Sequence, residues 1–384
     1  MADQQSTGHR EAESPSRATA ATFPINPKGK ADATDTLTEA ISELNISTAD
    51  TATKTVPTTA GDGPTVKPWK GKRALGRHPE QSILTVIRLA CHDLIDDPDF
   101  AAKLRAIKER FLVRDYVGVF SNPLNLPIYA AQYIPGRSLC YFELFRTEKA
   151  LRRILNGRPR VFCMGAGAGS ELMALMAASL YTPADADGNL IQGKPPVETT
   201  KDNRPPHYNQ KYGARLGSVD PRPVVCHIQD FADWQPVLNR LETTIRDVWH
   251  VPRSWFQIHF TQSDLLDPDT DRLAASLAEA DLVTSLFVMN ELFCEQAKAM
   301  TLVNLIIKHL RPGKHFLLID SAGSFSEIKV GNNTYMLYTV FDSLKRFFKP
   351  ILTDNARWYR YPENVSYPLK LDNMQYYLRL YERL

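Results

Sequence analysis

Residues 160–180 place the tightest constraint on what this chain can fold into. Val161-Phe162-Cys163-Met164 is a short apolar run, and Gly165-Ala166-Gly167-Ala168-Gly169 follows it at once. Ser170, Glu171 and an apolar stretch with helical spacing then continue to Leu180. Strand, glycine-rich turn and helix in that order form the opening unit of a nucleotide-type α/β sheet. Glycines suit such a turn because a ligand nearing the backbone would clash with a Cβ. The spacing here is G-x-G-x-G, whereas a dinucleotide fingerprint needs G-x-G-x-x-G. A phosphate-binding P-loop is excluded, since no Lys-Ser or Lys-Thr follows the glycines.

Further elements extend the pattern. Pro223 to Gln229 reads as a second strand ending at Asp230-Phe231-Ala232-Asp233-Trp234. An acid at that tip can accept both hydroxyls of a ribose. Asp230 is the better candidate, because Asp233 stands where it can cap the following helix. Trp255 to Thr261 is a third strand, leading to Asp264 and Leu265. That pair suits the amine and one ring face of an adenine, although Asp264 is equally a turn-forming residue. Leu282 to Met289 is the fourth strand, ending in Asn290 and Glu291, and His315 to Ile319 is the fifth, ending at Asp320. Between them a helix through Ala299, Val303 and Ile306 stops at Arg311-Pro312-Gly313. After the fifth strand, Tyr335 to Phe348 reads as an amphipathic helix, and Arg357 to Tyr361 and Met374 to Tyr381 read as strands. The fold class expected is α/β: a doubly wound, mostly parallel sheet with an antiparallel C-terminal strand, over residues 160–384.

Residues 79–159 read as a helical N-terminal extension. One helical pattern spans Ile83 to Ile95, a second runs to about Val113, a Pro-containing segment covers Ser121 to Arg137, and a third helix covers Ser138 to Leu155. Residues 1–78 read as a disordered tail, rich in Thr, Ala, Ser, Asp and Pro over its first 60 residues. Within it Thr36 and Glu39 have capping-box spacing ahead of Leu37, Ala40, Ile41 and Leu44, a transient helix or a short docking motif. Lys67, Lys70, Lys72, Arg73 and Arg77 surround Trp69 and read as an import signal, an RNA-contacting arm or a solvated linker. Residues 182–222 form a long polar insertion, either a substrate-side lid or a disordered loop.

Composition narrows the class. The net charge of +3 neither requires nor excludes a nucleic acid, because localised patches matter more than the sum. The five cysteines form no C-x-x-C pair, so no metal site is expected, and their scatter suits reduced thiols. The N-terminus lacks a secretory h-region, and the longest apolar run, Leu282 to Met289, is too short to span a bilayer; no membrane partner is expected.

The Met164–Glu171 loop resembles the first motif of Rossmann-like class I methyltransferases. Together with Asp230-Phe-Ala-Asp-Trp234, Phe287-Val-Met-Asn-Glu-Leu-Phe293 and Tyr133-Ile-Pro-Gly-Arg-Ser-Leu-Cys-Tyr141, it resembles the fungal base methyltransferases of 25S ribosomal RNA that act on N3 of uridine. The resemblance runs from about residue 80 to the C-terminus. It implies S-adenosylmethionine as cofactor, large-subunit rRNA or a pre-ribosomal particle as partner, and the nucleus or nucleolus, with the cytoplasm as alternative. The cofactor residues expected are Gly165, Ala166, Gly167, Gly169, Glu171, Asp230, Asp264, Leu265, Asn290 and Arg137. Arg137, with Tyr133 and Tyr141, is placed to hold the cofactor's carboxylate or line the pocket. Asn290 and Glu291 are the catalytic candidates: Asn290 to bond a uridine carbonyl, Glu291 to take the N3 proton. Cofactor contact or helix capping is the alternative for both. A methyltransferase acting on a protein or small molecule, or a noncatalytic cofactor-binding module, remains open at this point. A bulky side chain at Gly167 is expected to abolish cofactor binding with the fold largely intact.

Overall fold

The computed structural model describes Leu75 and residues 78–181, 223–267 and 270–384. The proposed tail motifs, the basic segment around Trp69 and the 182–222 insertion lie outside these residues. The chain begins with helices α1 (Pro79–Ala90), α2 (His92–Ile95), α3 (Phe100–Leu112), α4 (Tyr116–Phe120), α5 (Asn125–Thr147) and α6 (Lys149–Asn156). It continues through β1 (Arg160–Met164), α7 (Ser170–Tyr181), β2 (Val224–Asp230), α8 (Gln235–Trp249), β3 (Phe256–Gln262), α9 (Asp271–Glu279) and β4 (Leu282–Leu286). Then come α10 (Met289–Leu292), α11 (Gln296–His309), β5 (His315–Ser321), β6 (Glu327–Val330), β7 (Asn333–Met336), α12 (Tyr338–Ser343), β8 (Phe348–Tyr359) and β9 (Met374–Arg383).

The main sheet has the order β3-β2-β1-β4-β5-β9-β8. β1 to β5 pair in parallel, while β9 runs antiparallel to both β5 and β8. This is the doubly wound sheet with an antiparallel last strand that the sequence predicts. Both faces are covered, so inner strands are apolar throughout and successive residues feed opposite cores. Val161 and Cys163 of β1 join the core on the side of α1, α5, α7 and α8. Phe162 and Met164 join the one beneath α9, α11 and α12. The strand order reverses between β1 and β4, which opens a crevice at their carboxyl ends.

Four expectations need correction. The Pro-containing segment 121–137 is helical: α5 starts at Asn125 and carries Pro135 inside it. Proline cannot donate to the carbonyl four residues back. That carbonyl, of Ala131, accepts from the Tyr367 hydroxyl at 3.0 Å, so a side chain 236 positions away replaces the missing bond. The fourth strand stops at Leu286, not Met289, because Phe287 takes a left-handed backbone with φ +58°. Tyr335 to Phe348 is not one helix. Tyr335 and Met336 pair with Ile328 and Glu327 in a hairpin turned at Gly331, whose φ is +59°, and only Tyr338–Ser343 is helical. β8 begins at Phe348, well before Arg357; register shifts at Pro350/Leu352 and Asp354/Arg357 interrupt its alternation, and as an edge strand it tolerates a proline.

The N-terminal helices pack into the same core. α5 lies along α7, the Trp249 indole of α8 donates to Ser82 of α1 at 3.0 Å, and Gln81 exchanges two hydrogen bonds with the backbone of Ser366.

Candidate functional site

The loop after β1 meets two neighbouring strand ends. Gly165 has φ +62°, and a Cβ there would collide with Val288, just past β4. Gly167 donates its amide to Asp230 Oδ2 at 3.0 Å, and a Cβ on it would run into the Trp234 indole and the Asp230 carboxylate. The Gly167 position is therefore forced by the protein's own packing, before any ligand is considered. Gly169, with φ +94°, needs glycine for its backbone and stands immediately before α7. Ala166 lies within the same turn.

Asp230, the last residue of β2, is buried and accepts from Gly167 and, through Oδ1, from Ala232 at 3.0 Å. Burial pushes its carboxyl up to about 6. Asp233 does not cap α8 as expected: Trp234 stands at the N-cap with no side-chain cap bond, and Asp233, one residue earlier, accepts from the Gln235 amide at 3.2 Å in a turn that leads into the helix. Asp264 is exposed and closes its own turn on the Leu266 amide at 2.9 Å, while Leu265 is buried in the second core. The Ser263 amide bonds to the Asp230 carbonyl at 2.8 Å, which brings this turn beside the end of β2. Glu171 is buried under the loop; Thr284 of β4 donates to its Oε2, and burial pushes it up to about 7.

On the other side, α5 presents Tyr129, Tyr133, Arg137 and Tyr141 at four-residue spacing, so they form one stripe. Among the described residues Arg137 has no carboxylate within ion-pair distance. It donates to the Tyr129 hydroxyl at 2.6 Å, and its guanidinium lies 5.7, 5.7 and 5.3 Å from the rings of Tyr129, Tyr133 and Phe287. Phe287 also stacks on Tyr141 at 6.4 Å. The left-handed backbone at Phe287 costs about 1–2 kcal/mol and aims this ring across the crevice.

Asn290 and Glu291 do not extend from the strand; they ride on α10, one short turn beyond it. The Asn290 amide donates to Asp320 Oδ2 at 3.0 Å, and its Oδ1 is buried without a partner. Glu291 is partly exposed, and burial pushes its carboxyl up to about 8; Asp320 and Asp230 add to the rise and Arg137 opposes it. Asp320, fully buried at the tip of β5, also accepts from Ser321 and Ser326 and is raised by burial to about 6.

Sequence reading gave no role to Asp320, Tyr129, Thr284 or Trp234. A signal existed for Tyr129, since the four-residue spacing through Tyr133 and Arg137 shows once α5 is taken as one helix. Asp320 stood at a strand's carboxyl end, where such folds bind ligands.

The arrangement suits a ligand of mixed charge. Arg137 retains donors for a carboxylate, while the raised carboxyls of Glu291 and Asp320 favour a cationic group nearby. Tyr141 Oη on α5, Ser285 Oγ near the end of β4 and Asn290 Oδ1 on α10 are buried and unpartnered, as expected of polar groups awaiting a ligand. S-adenosylmethionine, with its carboxylate, ammonium and sulfonium, fits this set.

The family described as "Putative SAM-dependent methyltransferase" matches residues 87–382. The 25S rRNA (uridine(2843)-N(3))-methyltransferase of Saccharomyces cerevisiae is 27% identical over 303 residues, covering 73% of this chain and 77% of the yeast protein. Among solved structures, the N-methyltransferase NodS of Bradyrhizobium japonicum WM9 in complex with S-adenosyl-l-homocysteine is 12% identical, with a TM-score of 0.31, over 68% of this chain and 97% of its own. An O-methyltransferase family protein of Burkholderia thailandensis is 12% identical, with a TM-score of 0.36, over 80% of this chain and 73% of its own.

Proposed function

As this chain belongs to that S-adenosylmethionine-dependent methyltransferase family, we propose that it methylates N3 of a uridine in large-subunit ribosomal RNA, with Glu291 as the proton acceptor. The yeast relative's activity supports the substrate. The observation that carries the chemistry is Glu291, whose carboxyl burial raises to about 8, beside Arg137 at the sheet's switch point. A base whose pKa lies near the working pH combines a useful deprotonated fraction with proton affinity.

The bound cofactor supplies an electrophilic methyl group. The residues of this chain bind, orient and move a proton. The Gly165–Gly169 turn, Asp230, Asp264 and Leu265 hold the adenosine portion, and Arg137 holds the carboxylate. Glu171 supports the turn from below through Thr284. The rings of Tyr129, Tyr133, Tyr141 and Phe287 wall off water. Asn290 donates to a uridine carbonyl and stabilises the charge that develops there as N3 loses its proton to Glu291. A paired uridine hides N3, so the base enters unpaired or flipped. A substrate of this kind supports a nuclear or nucleolar location, with the cytoplasm as the alternative; among the described residues no helix is long and apolar enough to cross a membrane.

The test is 3-methyluridine in 25S rRNA from cells with and without the gene, complemented by wild type or Glu291→Gln. Loss of one modified position, restored by wild type alone, is expected. Unchanged 3-methyluridine at every large-subunit position rejects the substrate and turns the search to proteins and small molecules.

A further inference from the structure

A cavity of about 410 Å³ lies against α10, lined also by residues leading into α11 and by the β6–β7 hairpin. Its polar lining includes Asn290, Gln296 and Thr334, and its apolar lining includes Phe293 and Ile328. Arg114 and Lys329 bring positive charge to it, with Glu327 the acid among its lining residues. The volume falls in the range of about 300–1,000 Å³ usual for small-ligand sites.

Glu291 is absent from the cavity lining and interacts electrostatically with Arg137, Asp230 and Asp320. Asn290 lines the cavity, its backbone is fixed to Asp320, and its Oδ1 is buried without a partner. The cavity thus touches the catalytic turn through Asn290, yet shares no residue with the glycine loop or with the Tyr129–Tyr141 stripe.

We propose that this cavity receives the acceptor base, and that the β6–β7 hairpin and Gln296 select uracil. The assignment rests on the uridine reading above. A flipped base is read by hydrogen bonds at its edge and by contacts on its faces. Uracil offers carbonyl oxygens at O2 and O4. The amides of Asn290 and Gln296 and the hydroxyl of Thr334 are groups that can donate to them. Phe293 and Ile328 supply apolar surface for the ring faces. Arg114 and Lys329 provide charge for the adjoining phosphates, a contribution that weakens as salt rises. A base seated here lays one edge against α10, the turn that carries Glu291.

Thr334 is exposed on its hairpin, so Thr334→Trp fills the cavity without entering the core. The full-length chain is assayed with rRNA for KM and kcat, and by calorimetry for cofactor binding. A KM for RNA raised roughly ten-fold or more, as for other pocket-shape changes, with cofactor affinity unchanged, is the expected result. Gln296→Ala should raise KM as well. A 4-thiouridine-substituted oligonucleotide of the target sequence, irradiated with the wild-type chain, should crosslink within residues 290–296 or 327–336. Wild-type transfer to uridine with KM unchanged in both variants, or crosslinks confined elsewhere, overturns the cavity assignment alone. Loss of cofactor binding in Thr334→Trp overturns it too, since the cavity would then belong to the cofactor site. Absence of any wild-type transfer to rRNA instead overturns the uridine reading on which it rests.

Discussion

The amide of Gly167 donates to the Asp230 carboxylate at 3.0 Å, so the loop after β1 is tied to the tip of β2 by the protein itself. The indole of Trp234 occupies the space where a Gly167 side chain would project. Gly167→Ala should therefore cost stability as well as cofactor affinity, about 1–3 kcal/mol by analogy with other overpacked sites. This corrects the expectation that substitution here spares the fold. Denaturant unfolding and calorimetry check it; an unchanged unfolding midpoint contradicts it.

Asp230 and Asp233 should separate cleanly. Asp230→Ala removes the acceptor of two backbone amides and the proposed ribose acceptor, and should weaken cofactor binding by about 1–3 kcal/mol. Asp233→Ala loses only the bond from Gln235 and should cost about 0.5–1.5 kcal/mol of stability, with cofactor affinity retained. The reverse pattern in calorimetry assigns the ribose to Asp233.

Arg137 holds the Glu291 carboxyl below where burial alone would put it. If Glu291 is the base, kcat/KM rises with pH as it deprotonates, with the limb near 8 in the free enzyme. Arg137→Met removes the opposing charge and should move that limb to higher pH while lowering cofactor affinity. A limb that stays in place, or moves to lower pH, excludes Glu291 as the group being titrated.

Above about pH 6.5, where His227, His309 and His315, lowered by burial, are neutral in both states, stability should fall with rising pH in the cofactor-free protein. Glu171, Asp230, Glu291 and Asp320 are all raised by burial, to about 7, 6, 8 and 6. Between the ordinary carboxylate values near 4 and these raised values, the folded chain binds more protons than the unfolded one. Their contribution is thus fully present below about pH 4 and lost as pH rises through 6 to 8. Glu291→Gln should flatten the alkaline part of this fall, by on the order of 1–3 kcal/mol between pH 5 and 8.5. Thermal unfolding between about pH 6.5 and 8.5 provides the measurement, and a slope of opposite sign there defeats the prediction.

Tyr367→Phe should leave the Ala131 carbonyl, already without its helical donor, unpaired inside α5. A loss of about 1–3 kcal/mol follows for a half-buried acceptor. Wild-type stability in this variant would mean that another donor replaces the phenol.

What was legible in the amino acids was whatever depends on near neighbours. The run from Val161 to Glu171 carries strand, turn and helix in one stretch, because glycine at positive φ and apolar alternation are properties of a few adjacent residues. β1, β2, β3 and β5, the start of β4 and the acid at the end of β2 were readable on the same grounds.

Tertiary structure decided the rest. Pro135 argues locally against a helix, and only Tyr367, far along the chain, supplies the bond that lets α5 run through it. The length of α5 in turn places Tyr129, Tyr133, Arg137 and Tyr141 on one stripe. Phe287 ends β4 in a conformation its residue type disfavours, held where its ring meets Arg137 and Tyr141. Carboxyls on β2, α7, α10 and β5 are raised by burial, and Glu291 further by Asp320 and Asp230, a consequence of which strand ends the fold brings together. Local conformational preference acts over a few residues and is written in sequence order. Replacement of a lost hydrogen bond, close approach of side chains and the shift of a carboxyl's proton affinity depend on which distant segments are brought together, and that only the folded chain determines.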